Sequence, residues 1–152
     1  MDIFLKLKNM NILLVDDDEW IRDSLSVYFE SEGCRISAHE TAEKALAEID
    51  HHKVDVIITD YKLPGMDGIA FLKKVKKSHP HAVKILITAY ASDSLANRAR
   101  QAGAQELISK PFTSKTIEAC LARLTADENV NAGQQKGIHD STLSIKTGRQ
   151  TN

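Results

Sequence analysis

Four short apolar runs in this chain each end on a residue that can do chemistry. Asp16-Asp17 follow Leu13-Leu14-Val15, Asp60 follows Val56-Ile57-Ile58-Thr59, Thr88 follows Ile85-Leu86-Ile87, and Lys110-Pro111 follow Leu107-Ile108-Ser109. If the runs are neighbouring parallel strands, their carboxyl ends converge on one crevice, the place where open α/β sheets bind ligands. Three carboxylates gathered there repel one another, by about 4 kcal/mol for two unit charges 4 Å apart at an effective dielectric near 20. Positive charge must therefore join them. Lys110 supplies one cation, and a divalent ion is the natural second. A hard oxygen site with few protein ligands and room for water suits Mg²⁺.

In that setting Asp60 is the candidate nucleophile, because a carboxylate can attack phosphorus and form an acyl phosphate. Phosphoryl transfer needs an in-line nucleophile and positive charge around the phosphoryl oxygens. Lys110 and the metal meet the second need, while the Thr88 hydroxyl and the backbone N–H groups after Asp60 can donate to the remaining oxygens. Each residue alone has a plainer reading. Acids at Asp16 to Glu19 suit the start of a helix, Thr88 could be an ordinary strand-end hydroxyl, and Lys110 a solvated lysine. Asp18 and Glu19 keep that plain reading, whereas the matched strand ends lift the other residues above it.

The elements that must position these groups follow from periodicity. Ile12–Val15, Cys34–Ala38, Val54–Thr59, Val83–Thr88 and Gln105–Ser109 read as buried strands. Between them lie helical patterns. The first carries Ile21, Leu25, Tyr28 and Phe29 and stops at Gly33; the second is capped by Thr41 and carries Ala42, Ala45, Leu46 and Ile49. The third is capped by Asp67, with Ile69, Leu72 and Val75 inward and Lys73, Lys74, Lys76 and Lys77 as the wet side. The fourth opens at Ser92 or Asp93, carries Leu95, Ala96 and Ala99, and closes at Gly103. The fifth is capped by Thr113 and places Ile117, Cys120, Leu121 and Leu124 on one face. Such βα alternation predicts an α/β fold, a doubly wound, flavodoxin-like (βα)5 parallel sheet with strand order 2-1-3-4-5. That order sets Asp16-Asp17 beside Asp60.

The rest of the composition narrows the function class. A net charge of −1 over 152 residues argues against bulk attraction to nucleic acid. No apolar stretch approaches a membrane span, and the first residues do not form a secretory signal. Cys34 and Cys120 sit in apolar patterns and read as reduced core residues of a cytoplasmic protein. The six histidines form no ligand set: His51-His52 end a helix, His79 and His81 flank Pro80, and His39 and His139 stand alone. Residues 1–10 are an N-terminal extension, 11–124 the folded domain, and 125–152 a polar tail or the start of a linker. The tail is expected to be disordered, since it cannot bury enough apolar surface to offset its ordering entropy. Within it, Ser141 to Ile145 could pair as a strand.

The stretches Ile12 to Asp18, Thr59 to Gly68, Leu86 to Ala89 and Lys110-Pro111-Phe112 closely resemble the receiver domain of bacterial two-component response regulators. The likeness extends to the single-domain chemotaxis-regulator-like and sporulation-relay-like members. The resemblance implies that Asp60 is phosphorylated by a phosphohistidine on a sensor histidine kinase or phosphotransfer protein. It implies Mg²⁺ held by Asp17, Asp60 and the backbone carbonyl of Lys62, with Asp16 acting mainly through water. It implies that Thr88 moves toward the phosphoryl group, that Lys110 pairs with it, and that the Lys110-Pro111 bond is cis. The expected output is a change of packing on the face formed by the fourth predicted helix, the fifth strand and the fifth predicted helix. That face binds or releases an effector protein, or pairs two copies on phosphorylation. No DNA-binding or enzymatic domain fits in the tail, so no catalysis is expected beyond the chain's own phosphorylation and dephosphorylation.

One position departs from the family. Leu107 stands where members often carry the Tyr or Phe that swings inward on activation; Tyr90 is an alternative aromatic reporter. Lys62 and Tyr90 also occupy the two places that govern water access to the phosphorus, so a long-lived phosphoryl group is expected. Two rival readings remain. A haloacid-dehalogenase-like phosphatase would use Asp16 as nucleophile and Asp18 as its second acid, though Trp20 and the missing late metal motif speak against it. The other rival is a phosphorylation-independent, receiver-like scaffold.

Overall fold

The computed structural model describes residues 3–49, 53–126 and 142–144. The elements run α1 (Ile3–Leu7), β1 (Asn11–Val15), α2 (Glu19–Ser31), β2 (Arg35–His39), α3 (Ala42–Ile49), β3 (Val56–Asp60), α4 (Gly68–Ser78), β4 (Val83–Thr88), α5 (Asp93–Gln101), β5 (Glu106–Ser109), α6 (Ser114–Ala126) and β6 (Thr142–Ser144). The sheet order is β2-β1-β3-β4-β5-β6, with all neighbours parallel except the last pair. The predicted 2-1-3-4-5 order stands, with an antiparallel sixth strand added at the β5 edge.

Alternation along the strands sends successive side chains to opposite faces, and the core divides accordingly. Leu13, Val15, Ile57, Leu86 and Leu107 pack under α3, α4 and α5. Ile12, Leu14, Ile58, Ile85, Ile87 and Ile108 pack under α2 and α6. The helix starts follow the capping chemistry expected of them. Asp18, Asp67 and Ser92 accept N–H bonds from Trp20, Ala70 and Leu95, and Thr41 accepts from Lys44. Cys34 and Cys120 are both buried and reduced, and burial pushes the Cys120 thiol up to about 12.

Two regions lie outside the predicted (βα)5 domain. The N-terminal extension carries the short helix α1, whose Phe4 and Leu7 are buried in the layer beside α2 and α6. The Phe4 ring meets Tyr28 and Phe29 at centroid distances of 6.0 and 6.2 Å, and Lys6 donates to the Thr125 carbonyl. Five residues show too little periodicity to announce a helix; tertiary packing of two apolar side chains makes it. Beyond Leu124 the described residues are Thr125 and Ala126, which continue α6, and Thr142–Ser144, which pairs with β5 inside the segment Ser141 to Ile145 that could form a strand. The remaining tail positions, together with His51, His52 and His139, lie outside the described residues.

Candidate functional site

β1, β3, β4 and β5 end level with one another, and their ends build one crevice. Val15 pairs with Thr59, Asp60 with Ile87, and Thr88 with Ser109. The residues that follow each pairing are therefore Asp16-Asp17, Tyr61 and Lys110. Asp16 and Thr88 are fully buried, and Asp60 is 5% exposed. Asp17 is exposed at the rim. One oxygen from each of Asp16, Asp17 and Asp60 lies within 4.8 Å of the others. Lys110 reaches over them: its Nζ is 3.1 Å from Asp60 Oδ2 and 3.2 Å from Asp16 Oδ2. The Lys110-Pro111 peptide is cis.

The local backbone fixes each carboxylate. Asp16 Oδ1 accepts the Asp18 N–H at 2.9 Å, and its carbonyl accepts from Arg22 Nη1. Asp60 Oδ1 accepts the Tyr61 N–H at 2.9 Å. Thr88 Oγ1 accepts the Tyr90 N–H at 2.9 Å, so its own proton is available to another acceptor. α4 begins directly beneath this loop. A side chain at Gly68 would place Cβ 2.2 Å from the Asp60 carbonyl oxygen, so only glycine admits this approach. Gly65, at φ +76°, turns the loop so that the Met66 N–H reaches Glu43 Oε2.

Burial raises the pKa of Asp60 to about 6, with the neighbouring Asp16 charge adding to the rise and Lys110 opposing it. Burial likewise raises Asp16, against the Asp18 N–H and Lys110. Burial alone would lower Lys110, but the two acids outweigh it and hold the ammonium charged. Three carboxylates thus face one cation. Asp16 Oδ2, fully buried, has no well-aligned hydrogen bond even with Nζ nearby. Three carboxylates against one ammonium fit a further cation.

The rim carries two cation–aromatic pairs. Lys62 Nζ sits 5.5 Å from the Tyr90 ring centroid, and the Arg98 guanidinium 5.7 Å from that of Tyr61. Arg98 Nη1 also donates to Tyr61 Oη at 3.3 Å. Tyr90 is 62% exposed, while Leu107 is fully buried. Asp18 is turned away from the crevice as the N-cap of α2. Of the residues expected from the sequence, Asp16, Asp17, Asp60 and Lys110 lie within reach of one another, and Thr88 ends the neighbouring strand β4. Arg22, Glu43 and Arg98 reach these loops from helices and leave no motif at a strand end, and Tyr61, next to Asp60, was given no role.

Residues 12–122 match the response regulator receiver domain family. The chain is 36% identical over 112 residues to the DNA-binding transcriptional regulator NtrC of Salmonella typhimurium, covering 74% of this chain and 24% of that protein. It is 35% identical over 108 residues to a cyclic di-GMP phosphodiesterase of Thermotoga maritima, covering 71% and 29%. It therefore spans only about a quarter of the curated relatives it matches. Among solved structures, a CheY-like receiver domain from Methanospirillum hungatei aligns at TM-score 0.70 and 34% identity, covering 78% of this chain and 98% of that one. The beryllofluoride-activated NtrC4 receiver domain dimer aligns at TM-score 0.72 and 32% identity, covering 77% and 97%. Crevice, sheet order and sequence agree: the chain belongs to the response regulator receiver domain family of two-component signalling.

Proposed function

We propose that this receiver is a phospho-acceptor switch in a two-component phosphorelay. Asp60 takes the phosphoryl group from a phosphohistidine of a sensor histidine kinase or phosphotransfer protein, and the α5–β5–α6 face changes its packing for an effector protein or a second copy. The observation that carries this reading is the placement of Asp60, buried between Asp16 and Lys110 with one oxygen on the Tyr61 N–H. A carboxylate oxygen of Asp60 forms the new O–P bond as the donor's N–P bond breaks and the imidazole leaves. Lys110 balances charge on the incoming phosphoryl oxygens, the Thr88 hydroxyl donates to one of them, and the backbone N–H of the loop after β3 orients the acceptor. Asp16, Asp17, Asp60 and the Lys62 carbonyl would hold Mg²⁺, which supplies charge neutralisation at the transferring group when bound. No reaction beyond the chain's own phosphorylation and dephosphorylation is required of it. Two reduced, buried cysteines suit action in the cytoplasm.

Offered a small acyl phosphate donor with Mg²⁺, the chain should carry one acyl phosphate on Asp60 by mass spectrometry, and none in Asp60→Asn. Label on Asp16 that turns over would favour the haloacid-dehalogenase-like phosphatase instead. No label would favour the scaffold. The Lys62–Tyr90 stack lies at the mouth of the crevice, and it supports a slowly hydrolysed phosphoryl group. Lys62→Asn combined with Tyr90→Glu should speed its decay; equal decay in both proteins would contradict this obstruction.

A further inference from the structure

In a (βα)5 sheet β5 is an edge strand, and an edge presents unpaired N–H and C=O groups to any passing chain. Here that edge is taken. Thr142, Leu143 and Ser144 lie antiparallel to it, opposite Ile108, Leu107 and Glu106. The segment's sequence supports pairing independently. Thr142-Leu143-Ser144-Ile145 alternates polar and apolar residues inside an otherwise Asn-, Gln- and Gly-rich stretch. Residues 127–141 join α6 to β6. Fifteen residues reach roughly 50 Å when extended, far more than the length of a four-residue strand, so the same chain can return to its own β5.

β5 lies between α5 and α6 at this end of the sheet, and those three elements form the face assigned above to the output. We propose that residues 142–144 are a removable cover of that face. They hold the β5 edge in cis, and a partner's extended segment or face gains access only when they leave. This rests on the proposed output role of the α5–β5–α6 face. The physical setting suits a displaceable strand. A three-residue ladder is short, and it is opposed by the closure entropy of the fifteen-residue connection. Occupancy is therefore poised, so a modest change in α5 or β5 can shift it. Such a cover also spares the resting protein the edge-to-edge association that an open strand invites.

Amide hydrogen exchange on the full chain tests this. Leu143→Pro removes a backbone N–H from β6. In dilute, unphosphorylated protein the β5 amides that face β6 should exchange about tenfold faster in this variant. The β3 amides, unchanged, would report an intact fold. Equal β5 exchange in the two proteins would overturn the proposal. So would protection that rises with protein concentration, because the strand would then come from a second copy. With Mg²⁺ and beryllofluoride added, β5 exchange in the natural chain should rise to the Leu143→Pro level. Unchanged exchange beside a perturbed Asp60 environment would overturn the cover as a switchable element. Beryllofluoride that leaves Asp60 itself unperturbed would instead count against the phospho-acceptor reading, a separate failure.

Discussion

Two lysines, Lys84 buried and Lys110 half-buried, sit at opposite ends of this sheet, and their surroundings could hardly differ more. Lys84, near the start of β4, is 2% exposed and donates to the carbonyls of His79 and Ala82 at 2.7 and 2.9 Å. Its partners are neutral. Burial, aided by the charge of Lys76, lowers its pKa. Lys110, just past the end of β5, faces the carboxylates of Asp60 and Asp16 at 3.1 and 3.2 Å, and its pKa is raised. Lys84 completes the hydrogen bonding of the turn after α4 and leaves nothing over. Lys110 leaves an acidic excess that one ammonium cannot neutralise. A charge satisfied by its neighbours is structural; a cluster left with an excess of one sign, like the acids around Lys110, attracts the opposite sign.

Replacing each lysine by methionine should separate the two cases. Lys110→Met strands two buried carboxylates and should destabilise the Mg²⁺-free domain by about 3 kcal/mol near pH 8. Its penalty is pH-dependent, with a definite sign. Both acids already have pKa values above their unfolded value of 3.8. Losing Lys110 raises them further, so the folded state holds more protons than the unfolded one. The penalty is then full above the variant's folded values and fades as pH falls from there to about 6, the value of Asp60 in the natural protein. Lys84→Met leaves two carbonyls without their donor and should cost about 1–3 kcal/mol, with no change across that range because no acid titrates beside it. Urea unfolding at pH 5 and pH 8 reads both. A Lys84→Met penalty that shrinks on acidification would collapse the distinction between the two sites.

Asp60→Asn tests the crevice from the other side with a smaller effect. Its carboxyl is raised to about 6 in the folded state. Between 3.8 and 6 the folded protein binds more protons than the unfolded chain, so stability falls as pH rises through this window. An asparagine carries no such burden. The Mg²⁺-free variant should be more stable than the natural protein by about 1–2 kcal/mol at pH 8, the order of a two-unit shift less the lost pairing with Lys110. At pH 4 the gain should vanish. Mg²⁺ should raise the Tm of the natural protein at pH 8 and change that of the variant less. A variant destabilised at pH 8 would show that the crevice acids are already balanced.

The same contrast explains what could be read without coordinates. Asp16, Asp17, Asp60, Thr88 and Lys110 were legible because a parallel sheet turns strand ends into neighbours, and strand ends are visible as the edges of apolar runs. The caps Asp67, Ser92 and Thr41 were legible because capping is local. Lys84 was not: it interrupts the β4 run and its partners are backbone carbonyls, which carry no sequence mark. Helix α1 was invisible for a related reason, since it is held by tertiary contacts, those of Phe4 with Tyr28 and Phe29 among them. Strand ends were placed within about two residues of their observed limits, as at β2, read as Cys34–Ala38 and found at Arg35–His39. β6 stood as an alternative inside a tail expected to be disordered, because a three-residue strand is decided by the edge it meets.

A third cation takes the comparison to the surface, where charge contributes least to stability. Arg98 of α5 lies against the Tyr61 ring and donates to its hydroxyl, and Tyr61 in turn donates its N–H to Asp60. Leu107, fully buried, is aliphatic and has no hydroxyl to exchange partners. The Tyr61–Arg98 contact is then a continuous path from the acceptor carboxylate to α5. An exposed pair of this kind should leave the unfolding midpoint of Arg98→Ala unchanged within error. Its effect should appear in the response instead. On addition of Mg²⁺ and beryllofluoride, the change in α5 amide exchange should shrink about two- to fivefold in Arg98→Ala, the scale of a surface contact. Tyr61→Phe keeps the ring stack and loses the hydrogen bond, so it should fall between. Since neither substitution touches a crevice carboxylate, Asp60 should label as in the natural protein. An undiminished α5 response in both variants would mean that the signal travels through the packed β4–β5 layer around Leu107, and that surface cations, unlike Lys84 and Lys110, are bystanders.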